Sequence, residues 1–172
     1  RRHLQALALD LSVGDKFSRT IGLRLFNLGY IRLLQGNFAA AVRLFGASLR
    51  IKRAVLKSDD PDIAYGMQGL GMAIVKGGFI GSRYKGETAQ GLLESAFTLR
   101  KQAFPDNPLH PVIVKAALWL AICDKALVQL ADRRGRLERA EKLISDYHLN
   151  TDEVAQEVKS CVSRANRTGS PV

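Results

Sequence analysis

Residues 27–50 read NLGYIRLLQGNFAAAVRLFGASLR, and this stretch carries the clearest structural pattern in the chain. Apolar residues recur every three or four positions on both sides of Gly36-Asn37, which predicts two amphipathic helices joined by a tight turn. Small residues at Gly29 and Ala41 let the two helices approach closely, while Phe45 fills the groove between them. The stretch therefore predicts an antiparallel helix pair.

The pattern recurs twice further along the chain. Leu28-Gly29 returns as Leu70-Gly71, and Leu120-Ala121 takes the matching place in a third pair. The separating units Asp60-Pro61-Asp62 and His110-Pro111-Val112 also correspond, and the first is typical of a helix start with Asp60 as N-cap. Because helical periodicity covers almost the whole chain and strand-like alternation is absent, the predicted fold class is all-α.

The ends of the predicted helices follow from turn residues. Thr151 is predicted to cap a last helix, and the composition from about Arg164 onward predicts a frayed tail. A glycine-rich basic segment, residues 77–86, separates the helices of the second pair. The other predicted helices cover about 4–11, 21–34, 38–57, 61–76, 87–104, 111–131 and 137–147.

At these residues the sequence resembles a tetratricopeptide-repeat array. Leu28-Gly29, Gly36, Phe38, Ala41 and Phe45 stand at the family's spacing, and the joint formed by 49–53 and 59–62 is similar to the longer-helix variety of kinesin light chains. The resemblance covers roughly residues 17–147. It implies a right-handed α-solenoid of about three stacked helix pairs plus flanking helices, whose first helices line a concave groove. The expected division is a leading helix at 1–15 from a truncated earlier repeat, a domain at 16–147 with repeats at about 17–60, 61–108 and 109–147, and a capping helix with a flexible tail at 148–172.

The same resemblance implies where a partner binds. Carrying the family's groove positions across gives Phe26, Asn27, Tyr30, Tyr65, Gln68, Met72, Lys76, Lys115, Trp119 and Lys125. This set contains three lysines and no acid, so the expected partner is a protein segment, a peptide or helix of acidic or amphipathic character. The implied function is a non-catalytic adaptor or scaffold for protein–protein interaction.

The charge of the chain is concentrated in one segment. The 172 residues carry a formal net charge of +10, yet residues 16–58 hold nine basic residues and no acid. Arg43, Arg50, Arg53 and Lys57 fall within about an 80° arc of one helix and form a basic stripe. The stripe is either a solvated face or a nucleic-acid contact, which makes a ribonucleoprotein subunit the second hypothesis. A structural subunit of a large assembly is the third.

Signatures of catalysis and of metal binding are absent from the sequence. Its three histidines have no ligand spacing, and it contains neither a P-loop nor a Gly-x-Ser-x-Gly motif, so no enzyme activity, metal or cofactor is expected. Cys123 and Cys161 lie far apart, which indicates free thiols in a reducing, intracellular compartment, most simply the cytoplasm. No apolar run reaches the roughly 18 residues of a membrane span. Because the first residue is Arg1, a processed product or fragment is expected and an organelle stays open.

Overall fold

A computed structural model describes residues 19–131 and 135–168. Consecutive helices pack against each other in pairs, which confirms the predicted all-α stack. The predicted leading helix at 1–15 lies outside the described residues. The described elements are α1 (Arg19–Leu34), α2 (Phe38–Val55), α3 (Pro61–Gly77), β1 (Arg83–Tyr84), β2 (Glu87–Thr88), α4 (Ala89–Ala103), α5 (Pro111–Ala131), α6 (Arg136–Asp146) and α7 (Thr151–Thr168).

The first pair is held together by the ring of Phe45, which is fully buried. The Asn37 side chain accepts a hydrogen bond from the Ala40 amide and so begins α2 directly after the turn. A Cβ added at Gly29 of α1 or at Gly69 of α3 would come within 2.9 Å of the Phe45 ring. These glycines therefore let α1, α2 and α3 close around one aromatic side chain.

The core runs continuously from this pair to the last helix. It lies between successive helix pairs, as the stacked arrangement requires. Its largest fully buried side chains include Phe45, Leu70, Leu93, Ile113, Ile122 and Val154.

Helix boundaries follow the predicted signals at α3 but not at α7. Asp60 accepts a hydrogen bond from the Asp62 amide, Pro61 begins α3, and Gly78 ends it in the left-handed conformation at φ 79°. The prediction that Thr151 caps α7 is wrong, because the side chain of Asn150 accepts from the amides of residues 152 and 153. Asn150 precedes the helix, so its side chain can reach the free N–H groups of the first turn. Thr151 already lies inside the helix, and its side chain does not cap these groups.

The structure differs from the predicted frayed tail at residues 164–168, and residues 169–172 of that tail lie outside the described residues. Helix α7 continues to Thr168, and the Arg164 Nη1 donates to the carbonyl oxygen of Lys76 at 2.7 Å. The guanidinium carbon of Arg164 lies 4.9 Å from the centroid of the Phe38 ring. These contacts anchor the last turns of α7 on the ends of α2 and α3.

A short hairpin between α3 and α4 was not predicted. Strands β1 and β2 pair antiparallel, with Arg83 opposite Thr88 and Tyr84 opposite Glu87. Two-residue strands are too short to show alternation, so the sequence indicates only a glycine-rich basic loop there. The Tyr84 ring packs on Gly46 of α2, where a Cβ would collide with it. The hairpin is thereby fixed on the outer face of α2.

Helix α7 packs chiefly on α5 and α3. Val154, Val158 and Cys161 form a buried stripe at spacings of four and three, so α7 is an amphipathic helix with its apolar face in the core. On the same helix Glu157 pairs with Lys76 of α3 at 3.0 Å. The last helix therefore lies across the first helices of the second and third pairs.

None of the helices in the described ranges is both long enough and apolar enough to cross a bilayer.

Both cysteines are expected to resist thiol reagents in the native protein. Cys123 and Cys161 are free and fully buried, and burial raises the pKa of the Cys161 thiol to about 11 and also raises that of Cys123. Since the thiolate is the reactive form, labelling by a disulfide reagent at pH 8 should be about 100-fold slower than in urea. Single Cys→Ala variants assign each rate, and a native thiol that reacts at the unfolded rate would contradict the packing of α5 and α7.

Candidate functional site

A cleft of about 350 Å³ opens along the first helices of the three pairs, α1, α3 and α5. Successive first helices contact each other and form its wall, and the end of α4 contributes one side chain. The cleft is lined by Phe26, Asn27, Tyr30, Tyr65, Gln68, Gly69, Met72, Arg100, Pro111, Val112 and Lys115. Of these described lining residues, none is acidic.

Aromatic side chains form the apolar part of the lining. Phe26 packs on Phe45 with ring centroids 5.1 Å apart and meets the Tyr65 ring edge-on at 6.5 Å. Tyr30 and Tyr65 are 40% and 42% exposed, so each presents a large part of its ring to the cleft. Exposed tyrosines on rigid helices are suited to contact a protein partner, because they bury much area for little lost side-chain freedom.

Two buried polar side chains lie in the cleft wall. Arg100 is 3% exposed and Gln68 is 5% exposed. The Arg100 Nη1 donates to the carbonyl oxygen of Val112 at 2.6 Å, and its guanidinium carbon lies 4.5 Å from the Tyr65 ring centroid. Burial lowers the pKa of Arg100. Within the described structure, Arg100 Nε and Gln68 Oε1 are buried without a hydrogen-bond partner.

Sequence reasoning missed Arg100 because it lies on the second helix of its pair. It ends the buried stripe of α4, four residues after Ala96. The sequence did contain a signal for Arg100, because a charged residue occupies a position on the apolar face of the helix and a buried guanidinium needs partners. The family's groove positions come from first helices alone, and α4 is a second helix.

Seven of the ten predicted groove residues line the cleft together: Phe26, Asn27, Tyr30, Tyr65, Gln68, Met72 and Lys115. The structure does not bring Lys76, Trp119 and Lys125 into it. For Lys76 the reason is helix α7, because Glu157 of that helix forms an ion pair with the Lys76 ammonium group. Trp119 is only 6% exposed, with Lys76 Nζ 5.3 Å from its ring centroid. Lys125 lies on α5 nearly three turns beyond Lys115, since a turn takes about 3.6 residues.

Three residues of the predicted basic stripe, Arg43, Arg50 and Arg53, lie on the outer face of α2. The fourth, Lys57, follows the helix, because α2 ends at Val55 and not at the predicted residue 57. All four are exposed. An acid does reach this face from outside the segment, because Glu87 of the hairpin forms a two-bonded pair with Arg53 at 2.8 and 2.9 Å. Lys52 belongs to the same basic segment but is buried, and it donates to the carbonyl oxygen of Asp62 at 3.1 Å.

The hairpin adds cations to this face. Gly46, on which Tyr84 rests, lies three residues after Arg43 and four before Arg50, so all three share one side of α2. Arg83 and Lys85 flank Tyr84 and are exposed. The contact of Tyr84 with Gly46 therefore brings the exposed cations of the hairpin to the helix that carries Arg43 and Arg50. We call Arg43, Arg50, Arg83 and Lys85 the basic surface of α2 and the hairpin.

A comparison with protein-family models matches residues 27–62 to the family described as Tetratricopeptide repeat. The chain contains a tetratricopeptide repeat (TPR). The matched stretch spans most of the first helix pair and the start of α3, which is where the predicted TPR signature was strongest. TPR units generally mediate protein–protein interaction and are typically non-catalytic. No curated protein matches the sequence. Among the described residues, no group of His, Cys, Asp and Glu side chains is arranged to hold a metal ion.

Proposed function

We propose that this TPR protein is a non-catalytic adaptor that binds a segment of a partner protein in the cleft. The observation that carries the proposal is the cleft lining itself. Exposed aromatic rings from α1 and α3 stand beside basic groups from α4 and α5, and the described lining contains no acid. Such a surface complements an amphipathic segment with acidic residues, because apolar side chains supply affinity and opposite charges supply orientation.

A displayed library of random peptides, selected on the whole chain, tests this proposal without knowledge of the natural partner. The variant Asn27→Ala/Tyr30→Ala removes two side chains from the α1 wall and should lower the affinity for the selected peptides by about tenfold or more. Leu137→Ala is the matched control, because Leu137 is 43% exposed but lies on α6 outside the cleft lining. Equal binding by all three proteins would reject the cleft as the site.

Lys115 is expected to select acidic peptides. It is exposed and lines the cleft, whereas Lys125 lies on the same helix outside the lining. Lys115→Glu should lower the affinity for an acidic peptide by about three- to tenfold at low salt, and Lys125→Glu should change this affinity by less than twofold. Fluorescence anisotropy of a labelled peptide measures both. A larger effect of Lys125→Glu would place the acidic contact elsewhere.

The second candidate function is nucleic-acid binding by the basic surface of α2 and the hairpin. The observation in its favour is the contact of Tyr84 with Gly46, which attaches a hairpin carrying exposed Arg83 and Lys85 to the helix that carries Arg43 and Arg50. Tyr84 packs on Gly46 and is not presented for base stacking, so contact would be with phosphates. Binding of a duplex RNA should then fall steeply with salt, and Arg43→Glu/Arg50→Glu should abolish it. A flat salt response would remove this candidate.

A further inference from the structure

Arg100 is a buried cation without an acidic partner. Burial lowers the pKa of Arg100, and no carboxylate of the described chain forms an ion pair with it. Arg139 of α6, in contrast, contacts both Asp124 and Glu94. A buried charge without a counter-ion is costly, so proteins normally supply one from the chain or from a ligand.

Two buried atoms in the cleft wall lack a hydrogen-bond partner, and their chemistry indicates which ligand group would satisfy them. Arg100 Nε offers one N–H donor, and Gln68 Oε1 offers one acceptor. The Tyr65 ring packs on the guanidinium, with the guanidinium carbon 4.5 Å from the ring centroid. A ligand that satisfies both atoms carries a carboxylate for Arg100 and a neighbouring N–H for Gln68.

We propose that Arg100 and Gln68 form a specificity site for an Asp or Glu side chain of the bound segment. The carboxylate accepts from Arg100 Nε, and a backbone N–H of the same segment donates to Gln68 Oε1. Both atoms are buried in the structure, so binding requires the Tyr65 side chain, which packs on Arg100 and is 42% exposed, to move aside. Lys115, exposed on the same cleft, adds to the attraction. This inference rests on the proposed function, because it assumes that a protein segment occupies the cleft.

The residues that form this site lie on three helices, α3, α4 and α5, which belong to the second and third pairs. Gln68 lies in the middle of α3, and Arg100 lies in the last turn of α4. The Arg100 hydrogen bond to Val112 connects that turn to the start of α5. The site is therefore held by rigid elements, which suits it to discriminate between an acid and its neutral isostere.

A double-mutant cycle with the selected peptides tests the site. Each peptide is made with its acidic residue and with the matching amide, Glu→Gln or Asp→Asn, and is measured against the wild-type chain and Arg100→Met. The wild type should prefer the acid by about tenfold, and Arg100→Met should reduce this preference to about threefold or less, which is the part that Lys115 supplies. An undiminished preference in Arg100→Met, or selected peptides without any acid, would overturn the inference.

Gln68→Met is the second variant and guards against a merely structural effect. Because it replaces an unpaired buried acceptor with an apolar side chain of similar size, the protein should unfold at an equal or higher temperature. Acidic and amide peptides should nevertheless both bind about threefold more weakly to it, since both lose the backbone N–H contact. Unchanged peptide binding by Gln68→Met would remove Gln68 from the site.

The outcomes separate this inference from the proposed function. Peptides that depend on Asn27 and Tyr30 but not on Arg100 leave the cleft as the binding site and overturn the acid specificity. Peptides that depend on none of the three residues overturn both. Amidating the peptide C-terminus should have no effect, and loss of binding on amidation would assign the site to a terminal carboxylate instead of a side chain.

Discussion

Replacing Arg139 with methionine is expected to lower the free energy of unfolding by about 3–5 kcal/mol at neutral pH. The Asp124 carboxylate is fully buried on α5, and Arg139 of α6 donates two hydrogen bonds to it, each of 2.6 Å. Arg139 also contacts Glu94 of α4. Its loss leaves a carboxylate without its counter-ion inside the protein and removes a link between three helices.

The pH dependence of this variant has a defined sign. Burial raises the pKa of the Asp124 carboxyl, and the hydrogen bonds from Arg139 oppose that rise in the wild type. In Arg139→Met this opposition is lost, so the pKa in the folded state lies further above that in the unfolded state. A carboxyl group of this kind favours folding below its unfolded pKa, and the benefit is lost as pH rises through its folded pKa. Urea unfolding should therefore show a smaller deficit at pH 5 than at pH 8.

The matched control removes both charges. Asp124→Leu/Arg139→Met leaves no uncompensated carboxylate, so it should recover most of the lost stability, with no deficit that grows from pH 5 to pH 8. A single variant that loses less than about 1 kcal/mol, independent of pH, would show that Asp124 is not buried as described.

Phe45→Ala is the second substitution with a large expected effect. It should cost about 3–5 kcal/mol, because the ring is fully buried and its removal leaves a cavity among α1, α2 and α3. The ring lies against Gly29 and Gly69, and Phe26 packs on it at 5.1 Å. These neighbours are held by their own helices, so collapse into the space is limited.

The control for Phe45 is Leu34→Ala, since Leu34 ends α1 and is 72% exposed. It should change stability by less than about 0.5 kcal/mol. Denaturant unfolding followed by circular dichroism measures both variants. A loss below about 1.5 kcal/mol in Phe45→Ala would contradict the close packing of the first pair on α3.

The fold could be predicted because its determinants are local in sequence. The spacing of Gly29, Gly36, Ala41 and Phe45 specifies a helix pair, and the Asp60-Pro61 start specifies the next helix. The structure contains both features, and the match of residues 27–62 to the TPR model covers the same stretch. Repeats suit such reasoning because each unit contacts mainly its neighbours.

The parts of the cleft that the sequence did not predict depend on contacts between residues far apart in the chain. The pairing of Lys76 with Glu157 bridges 81 positions, and no periodic pattern in either helix indicates it. It is this return of α7 onto α3 and α5 that removes Lys76 and Trp119 from the open cleft. Arg100 enters the cleft for a similar reason, because the turn between α4 and α5 places it against Val112.

The most direct test of the adaptor hypothesis is to map a selected peptide onto the chain by backbone amide chemical shifts in NMR. If the cleft binds the peptide, the largest changes should lie in α1 around residues 26–30, in α3 around 65–72, near Arg100 and at the start of α5. Amides on the outer face of α2, such as those of Arg43 and Arg50, should change little. Changes concentrated on α2 and the hairpin, with the cleft unaffected, would contradict it.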